Sequence, residues 1–158
     1  MATADRSDHP TPPGRIRPWY RLLRPSHWTK NLFVLAPLLF SGRAREVDGA
    51  ISAGMAFVAF CLAASSVYAF NDVLDRDADR RHPTKRLRPV AAGQITTQQA
   101  LAVSCLLAVL ALLLAQQSHW QTAAWVGLYL GLNLVYSFGL KHVVLLDVFA
   151  IASFFVLR

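Results

Sequence analysis

At 158 residues, 54% hydrophobic and only 16% charged, the sequence lacks the polar surface that a soluble domain needs, and it reads as a membrane protein. Sixteen Lys and Arg against nine Asp and Glu give a net charge of +7, which in a soluble chain would point to nucleic acid. Beside so much apolar sequence it points instead to cytoplasmic loops and anionic lipid, with no nucleic-acid partner.

In chain order, residues 1–18 are polar and rich in Pro and Arg, the composition of a disordered cytoplasmic tail. Residues 19–158 form the membrane domain. It opens with "WYRLLRPSHWTK", whose interleaved aromatic and basic side chains suit the lipid headgroups. Leu32 to Phe40 is the first apolar stretch; it is short and carries Pro37, but it does not read as a signal peptide, because the leader is too long and no small-x-small cleavage site follows. Four further apolar stretches run from about Gly49 to Phe70, Ala100 to Ala115, Thr122 to Leu140 and Val143 to Leu157. A hydrocarbon layer of ~30 Å needs about twenty helical residues, so the second and fourth of these five spans are long enough by themselves and the others are short. The expected fold is an all-α, multi-pass transmembrane bundle. The last apolar run finishes at Arg158, so the sequence reads as an excerpt, with further C-terminal helices expected. Cys61 and Cys105 both lie in apolar runs and act as small hydrophobes, giving no sign of a disulfide framework or a zinc site.

Six cations precede the first span (Arg6, Arg15, Arg17, Arg21, Arg24, Lys30), six lie between Arg76 and Arg88, and Lys141 falls in the next loop on that side. Only Arg43 and Arg45 occupy the first opposite loop. The N-terminus and the loop after the second span are therefore expected to be cytoplasmic.

That loop opens with "NDVLDRDADR", four carboxylates in ten positions at the end of an apolar helix. If the helix continues past Tyr68, Asp72, Asp75 and Asp79 fall within an arc of about 60°, with Asn71 beside them and Asp77 nearly opposite. Three carboxylates on one face repel one another unless cations occupy the gap, and Mg²⁺ suits the spacing because it takes one or two carboxylates per ion and fills its shell with water and phosphate oxygens. An ordinary solvated loop would explain the charge but not the spacing. A calcium loop fails, since Arg80 stands where Gly is required and Arg86 where a bidentate Glu is required.

Arg80, Arg81, Lys85, Arg86 and Arg88 follow within nine residues. Carboxylates for a metal followed by forked cations are what a diphosphate needs, although the positive-inside rule alone would also place cations here. Lys30, Tyr136 and Lys141 end on the same side and are candidates for the same pocket. Asp147 is an ionisable group in an apolar run and so a functional candidate, with helix capping or an interhelical hydrogen bond as the plain alternative. His82, His119 and His142 have no ligand spacing and read as loop or interface residues.

The stretch "NDVLDRDADRRHPTKRLRPVAAG" resembles the first aspartate-rich motif of the UbiA-type intramembrane prenyltransferase superfamily, N-D-x-x-D-x-x-x-D followed by an Arg-Pro-x-x-x-Gly turn. "LRPSHWTKNLFVLAPLLFSG" and "YSFGLKHVVLLDVFAIASFFVLR" resemble its decaprenyl-phosphate phosphoribosyltransferase branch. The resemblance implies a nine-helix UbiA-like fold, about five of whose helices are present, around a central cavity with a cytoplasmic active site and a lateral opening for lipid. It implies that Asn71, Asp72, Asp75 and Asp79 hold Mg²⁺ and the donor diphosphate, that Lys30, Lys85, Arg86, Arg88 and Lys141 contact phosphate, and that Tyr136 belongs to a tyrosine-lysine motif. A second acidic motif of the family lies beyond the end of this sequence, so the chain alone is expected to be inactive.

The implied reaction moves 5-phosphoribosyl from phosphoribosyl diphosphate to a polyprenyl (decaprenyl) phosphate at the plasma membrane, making a precursor of cell-wall arabinan. Metal and cations stabilise charge on the departing pyrophosphate; the acceptor phosphate is already anionic, so no strong general base is needed, in keeping with the lack of a convincing catalytic His or Cys. A dry cavity keeps water from competing. Two alternatives use the same features: prenyl transfer from a polyprenyl diphosphate to an aromatic acceptor, and a non-enzymatic membrane module or transporter half with the acids as an ion site. Transport sites usually lie near mid-membrane, whereas these acids lie at a helix end.

Overall fold

The computed structural model describes residues 16–40 and 46–138, and every regular element among them is helical. Helix α1 (Ile16–Leu23) begins three residues before Trp19, inside the stretch read as tail. Pro18 falls in its first turn, where a missing N–H costs no helical bond. Leu22 is fully buried with Ala69, Val90, Ile95 and Ala100, which docks α1 against the end of the second span and the loop beyond it.

The first apolar stretch takes an unusual form. Pro25–Leu35 is a 3₁₀ helix and only Ala36–Phe40 (α2) is α-helical. A 3₁₀ helix rises about 2.0 Å per residue, so these two segments have a contour length of roughly 30 Å, longer than an α-helix of the same residues, with the largely polar residues 25–31 leading into the apolar stretch. So long a 3₁₀ run needs tertiary support. Trp28 donates from Nε1 to Ser65 Oγ (3.0 Å), and Asn31 donates from Nδ2 to Cys61 Sγ (3.3 Å).

Helix α3 (Val47–Leu74) is the axis of the bundle. Among the described residues, two helices are long and apolar enough to cross a membrane, α3 and the later α5 (Thr97–Ser118), while α6 (Trp120–Phe138) has 19 residues. The fifth expected span lies outside the described residues. Helix α5 starts at a capping box, in which Thr96 Oγ1 accepts from the Gln99 amide and Gln99 Oε1 from the Thr96 amide. It packs antiparallel to α3. Ser66 and Ser104 exchange hydroxyl-to-carbonyl bonds at 2.8 and 2.9 Å, and Ser118 donates to the Ser52 carbonyl at 3.0 Å, the same residue spacing in opposite directions. Ala59, Ala63, Ala111 and Ala115 are fully buried in the core; small side chains let helices approach closely where lipid supplies no hydrophobic drive. His119 alone separates α5 from α6, which returns beside α3 with Tyr129 edge-on to Phe60 and Phe138 edge-on to Phe70.

Between α3 and α5 lies the polar connector. Asp75 alone separates α3 from α4 (Arg76–Arg81), and the bonds from the Asp75 amide to the Asn71 carbonyl and from the Asp79 amide to the Asp75 carbonyl carry helical pairing across the join. His82 Nδ1 then accepts from the amides of Thr84 and Lys85, starting a 3₁₀ turn at Lys85–Leu87. Next comes a tight turn in which the Gln94 and Ile95 amides both reach the Pro89 carbonyl, with Gly93 at φ 72°. Gly93→Ala has open space for its methyl group, so its effect is conformational: holding an L-residue at positive φ should cost about 1–2 kcal/mol and lower the thermal midpoint of the detergent-solubilised protein.

Candidate functional site

The end of α3 brings Asp72 inward and α4 brings Asp79 inward, with Asp75 half-buried at the join and Asp77 turned to solvent. Asp72 is 1% exposed and Asp79 3%. Ionised carboxylates that deep need cationic partners, and two arginines supply them. Arg24 Nη2 donates to Asp72 Oδ1 at 2.7 Å. Arg88 Nη1 lies 2.7 Å from Asp79 Oδ2 and 3.4 Å from Asp72 Oδ1, so one guanidinium nitrogen bridges the two acids.

Arg24 reaches this position from the end of α1, held in an uncommon geometry. It is the one non-glycine residue at positive φ among those described (φ 50°, ψ 54°), directly before Pro25. Its guanidinium carbon sits 4.9 Å from the centroid of the Tyr68 ring, a cation–π arrangement, and Tyr68 is braced edge-on by His27. Ser65 Oγ donates to the Leu23 carbonyl at 2.8 Å and so satisfies an end of α1 that has no helical partner. On the far side, Ser137 Oγ lies 2.6 Å from Asn71 Oδ1, which joins α6 to the same cluster.

The spacing argument put Asp72, Asp75 and Asp79 on one face with cations in the gap, one or two carboxylates to each Mg²⁺. Among the described residues no group of three His, Cys, Asp or Glu side chains is arranged to hold a metal ion. The reason is local: Arg88 occupies the gap between Asp72 and Asp79, and Asp75 sits at the helix join. One feature does fit a cation. Asp72 Oδ2 is buried without a hydrogen-bond partner, an acceptor whose desolvation is uncompensated and which a hard cation carrying water or phosphate oxygens would satisfy.

The other candidates are dispersed. Lys30 is exposed on the 3₁₀ segment, and its neighbours Trp28 and Asn31 anchor on Ser65 and Cys61, two to three turns of α3 before Asp72. Lys85 and Arg86 are exposed on the turn ahead of Arg88. Arg80 and Arg81 spend their Nε donors on the carbonyls of Ala91 and Asp77, within their own loop. Tyr136 is half-buried in the last turn of α6, next to Ser137. Lys141, His142 and Asp147 lie outside the described residues. The sequence reading missed Arg24 and Ser137 as site residues. Arg24 entered only as a charge, although an arginine fixed before a proline at a helix end is a visible signal.

These features define a class: an all-helical membrane protein with buried, arginine-paired carboxylates at the end of a spanning helix. The sequence profile of the UbiA prenyltransferase family matches residues 32–158, and the chain belongs to that family, whose fold is a multi-pass membrane bundle. It is 44% identical over 142 residues to a decaprenyl-phosphate phosphoribosyltransferase of Mycolicibacterium smegmatis, covering 87% of this chain and 45% of that protein. To the protein of the same name from Mycobacterium tuberculosis it is 42% identical, over 87% of this chain and 47% of the relative. A 4-hydroxybenzoate octaprenyltransferase of Polaromonas sp. is 38% identical over 73 residues, which covers 46% of this chain and 26% of that protein. The chain thus spans about half the length of the phosphoribosyltransferases it resembles.

Proposed function

We propose that this chain carries the aspartate half of the active site of a Mg²⁺-dependent transferase, which moves 5-phosphoribosyl from phosphoribosyl diphosphate to a polyprenyl phosphate such as decaprenyl phosphate. The observation that carries the reading is the buried Asp72–Arg24–Arg88–Asp79 cluster with Asp72 Oδ2 unpartnered. Similarity to two decaprenyl-phosphate phosphoribosyltransferases over 87% of the chain supports that transferred group and acceptor; likeness to the octaprenyltransferase is confined to less than half of it. The product, a lipid-linked ribose phosphate, would serve cell-wall arabinan synthesis.

In this mechanism Asp72, Asp75 and Asp79, with Asn71, are the residues that would hold Mg²⁺ and the donor diphosphate once the Arg24 and Arg88 forks leave the carboxylates. When bound, Mg²⁺ would supply positive charge against the departing pyrophosphate. Arg24 and Arg88 can turn their forks from carboxylate to phosphate oxygens, because the two anions present the same bidentate geometry. Lys85 and Arg86, exposed at the entrance, take the remaining phosphate charge, and Ser137 fixes the Asn71 side chain against α6. The acceptor phosphate attacks the anomeric carbon as an anion, without a general base. The cation asymmetry of the sequence supports a site on the cytoplasmic face.

One experiment tests donor and orientation together, since phosphoribosyl diphosphate is too highly charged to cross a bilayer. Inverted membrane vesicles containing the intact protein, given labelled phosphoribosyl diphosphate, decaprenyl phosphate and Mg²⁺, should form a labelled organic-soluble lipid, and a chelator should abolish it. Right-side-out vesicles should form none. Label confined to right-side-out vesicles would reverse the topology. Consumption of polyprenyl diphosphate with an aromatic acceptor, without sugar transfer, would establish prenyl transfer instead.

A further inference from the structure

Arg24 is a cation on a short tether, and it already occupies the carboxylate at the centre of the site. Two guanidiniums and the two buried carboxylates sum to zero charge, half-buried Asp75 adds a negative charge beside them, and Asp72 Oδ1 is shared by both arginines while Oδ2 has none. A divalent cation entering alone would meet Oδ2 with two positive groups close by, and the cluster would be left with net positive charge. A cation arriving with a diphosphate meets a different balance, since the anion can draw the Arg24 fork off Asp72 and free that carboxylate for the metal. The tether favours such an exchange. Arg24 is 22% exposed in its side chain, rests on Tyr68 as well as on Asp72, and is fixed at its backbone by the positive φ before Pro25 and by the Ser65 bond to Leu23.

We propose that Arg24 is a displaceable internal counter-ion, so that this site loads a divalent cation and a diphosphate together and resists the cation alone. The inference rests on the reading of the acid cluster as a metal–diphosphate site, and it adds the residue that couples the two ligands. Coupling of this kind is reciprocal: whatever factor pyrophosphate contributes to metal affinity, the metal contributes to pyrophosphate affinity.

The test uses the intact protein in lipid nanodiscs, with radioactive Mn²⁺ and inorganic pyrophosphate as probes in equilibrium dialysis. The unsubstituted protein should hold Mn²⁺ weakly, and saturating pyrophosphate should tighten it by roughly tenfold or more. Arg24→Gln should bind Mn²⁺ alone more tightly, by about the same factor, and lose most of the coupling. A residue with a merely structural role would weaken both ligands together. Arg24→Lys keeps the charge and so protects the test against a folding failure of the Gln variant; it should still resist Mn²⁺ alone, with reduced coupling, because an ammonium lacks the fork. Mn²⁺ affinity indifferent to pyrophosphate, or lowered in Arg24→Gln, overturns the counter-ion role while leaving the acid site in place. If the unsubstituted protein binds neither probe even when both are present, the reading of the site itself falls.

Discussion

Asp72→Asn should lower transfer activity of the intact protein at least ~100-fold, the largest effect expected of any one side chain in the cluster. The change keeps shape and removes charge. Arg24 and Arg88 then face an amide, and the acceptor with an unpartnered oxygen is lost as a carboxylate. Folding suffers as well, since breaking one partner out of a buried ion pair typically costs about 3–5 kcal/mol. For that reason activity should be compared per folded protein. Asp77→Asn is the internal control: its side chain is exposed and only its backbone carbonyl is used, by Arg81. Activity within about twofold of the parent is expected there, as for surface changes away from named features. Equal losses at Asp72 and Asp77 would mean that charge in the loop matters and helical facing does not.

Arg88→Met should destabilise the protein by about 3 kcal/mol, at the lower end for a buried pair because the arginine is roughly a quarter exposed. It removes the nitrogen that bridges Asp72 and Asp79, so two carboxylates are left facing each other, with Arg24 pairing only one. The double variant Arg88→Met/Asp79→Leu takes out the pair as a unit, and replacing a buried ion pair by apolar groups is often neutral. Thermal unfolding should therefore find the double variant more stable than Arg88→Met alone, while transfer activity stays lost in both. A double variant no more stable than the single one would show that Arg88 acts by packing and not by charge.

The parts of this protein legible in the sequence are those governed by local pattern. An unbroken apolar run marked α3, whereas the run that forms α5 reads as short because polar Thr97, Gln98 and Gln99 and Gln116, Gln117 and Ser118 extend the helix at its two ends. The i, i+3, i+7 spacing of Asp72, Asp75 and Asp79 carries a geometric meaning that depends only on helical pitch, and burial falls in step with it, since Asp77 is the exposed member. What stayed hidden depends on contacts between distant residues. Arg24 and Asp72 are 48 positions apart, and no local pattern links them. The 3₁₀ course of Pro25–Leu35 also has no periodic signature, because Trp28 and Asn31 hold it through bonds to α3. Lys30 reads as a site residue from its side of the membrane and from the family resemblance; the anchors on either side of it attach to α3 two to three turns before Asp72. Arg88 was expected to face phosphate, and it reaches the acids because the turn closed at Gly93 and the Arg80 bond to Ala91 fold the loop back on α4.

The central claim is that a metal-bound donor diphosphate sits between α3 and the arginines. A cryo-electron microscopy reconstruction of the intact protein with Mn²⁺ and phosphoribosyl diphosphate tests it most directly. The account predicts an ion against Asp72 Oδ2, diphosphate oxygens within hydrogen-bond reach of Arg88, and the Arg24 guanidinium moved from carboxylate to phosphate. Diphosphate density away from Asp72 and Asp79, with both arginine–carboxylate pairs intact, would contradict it.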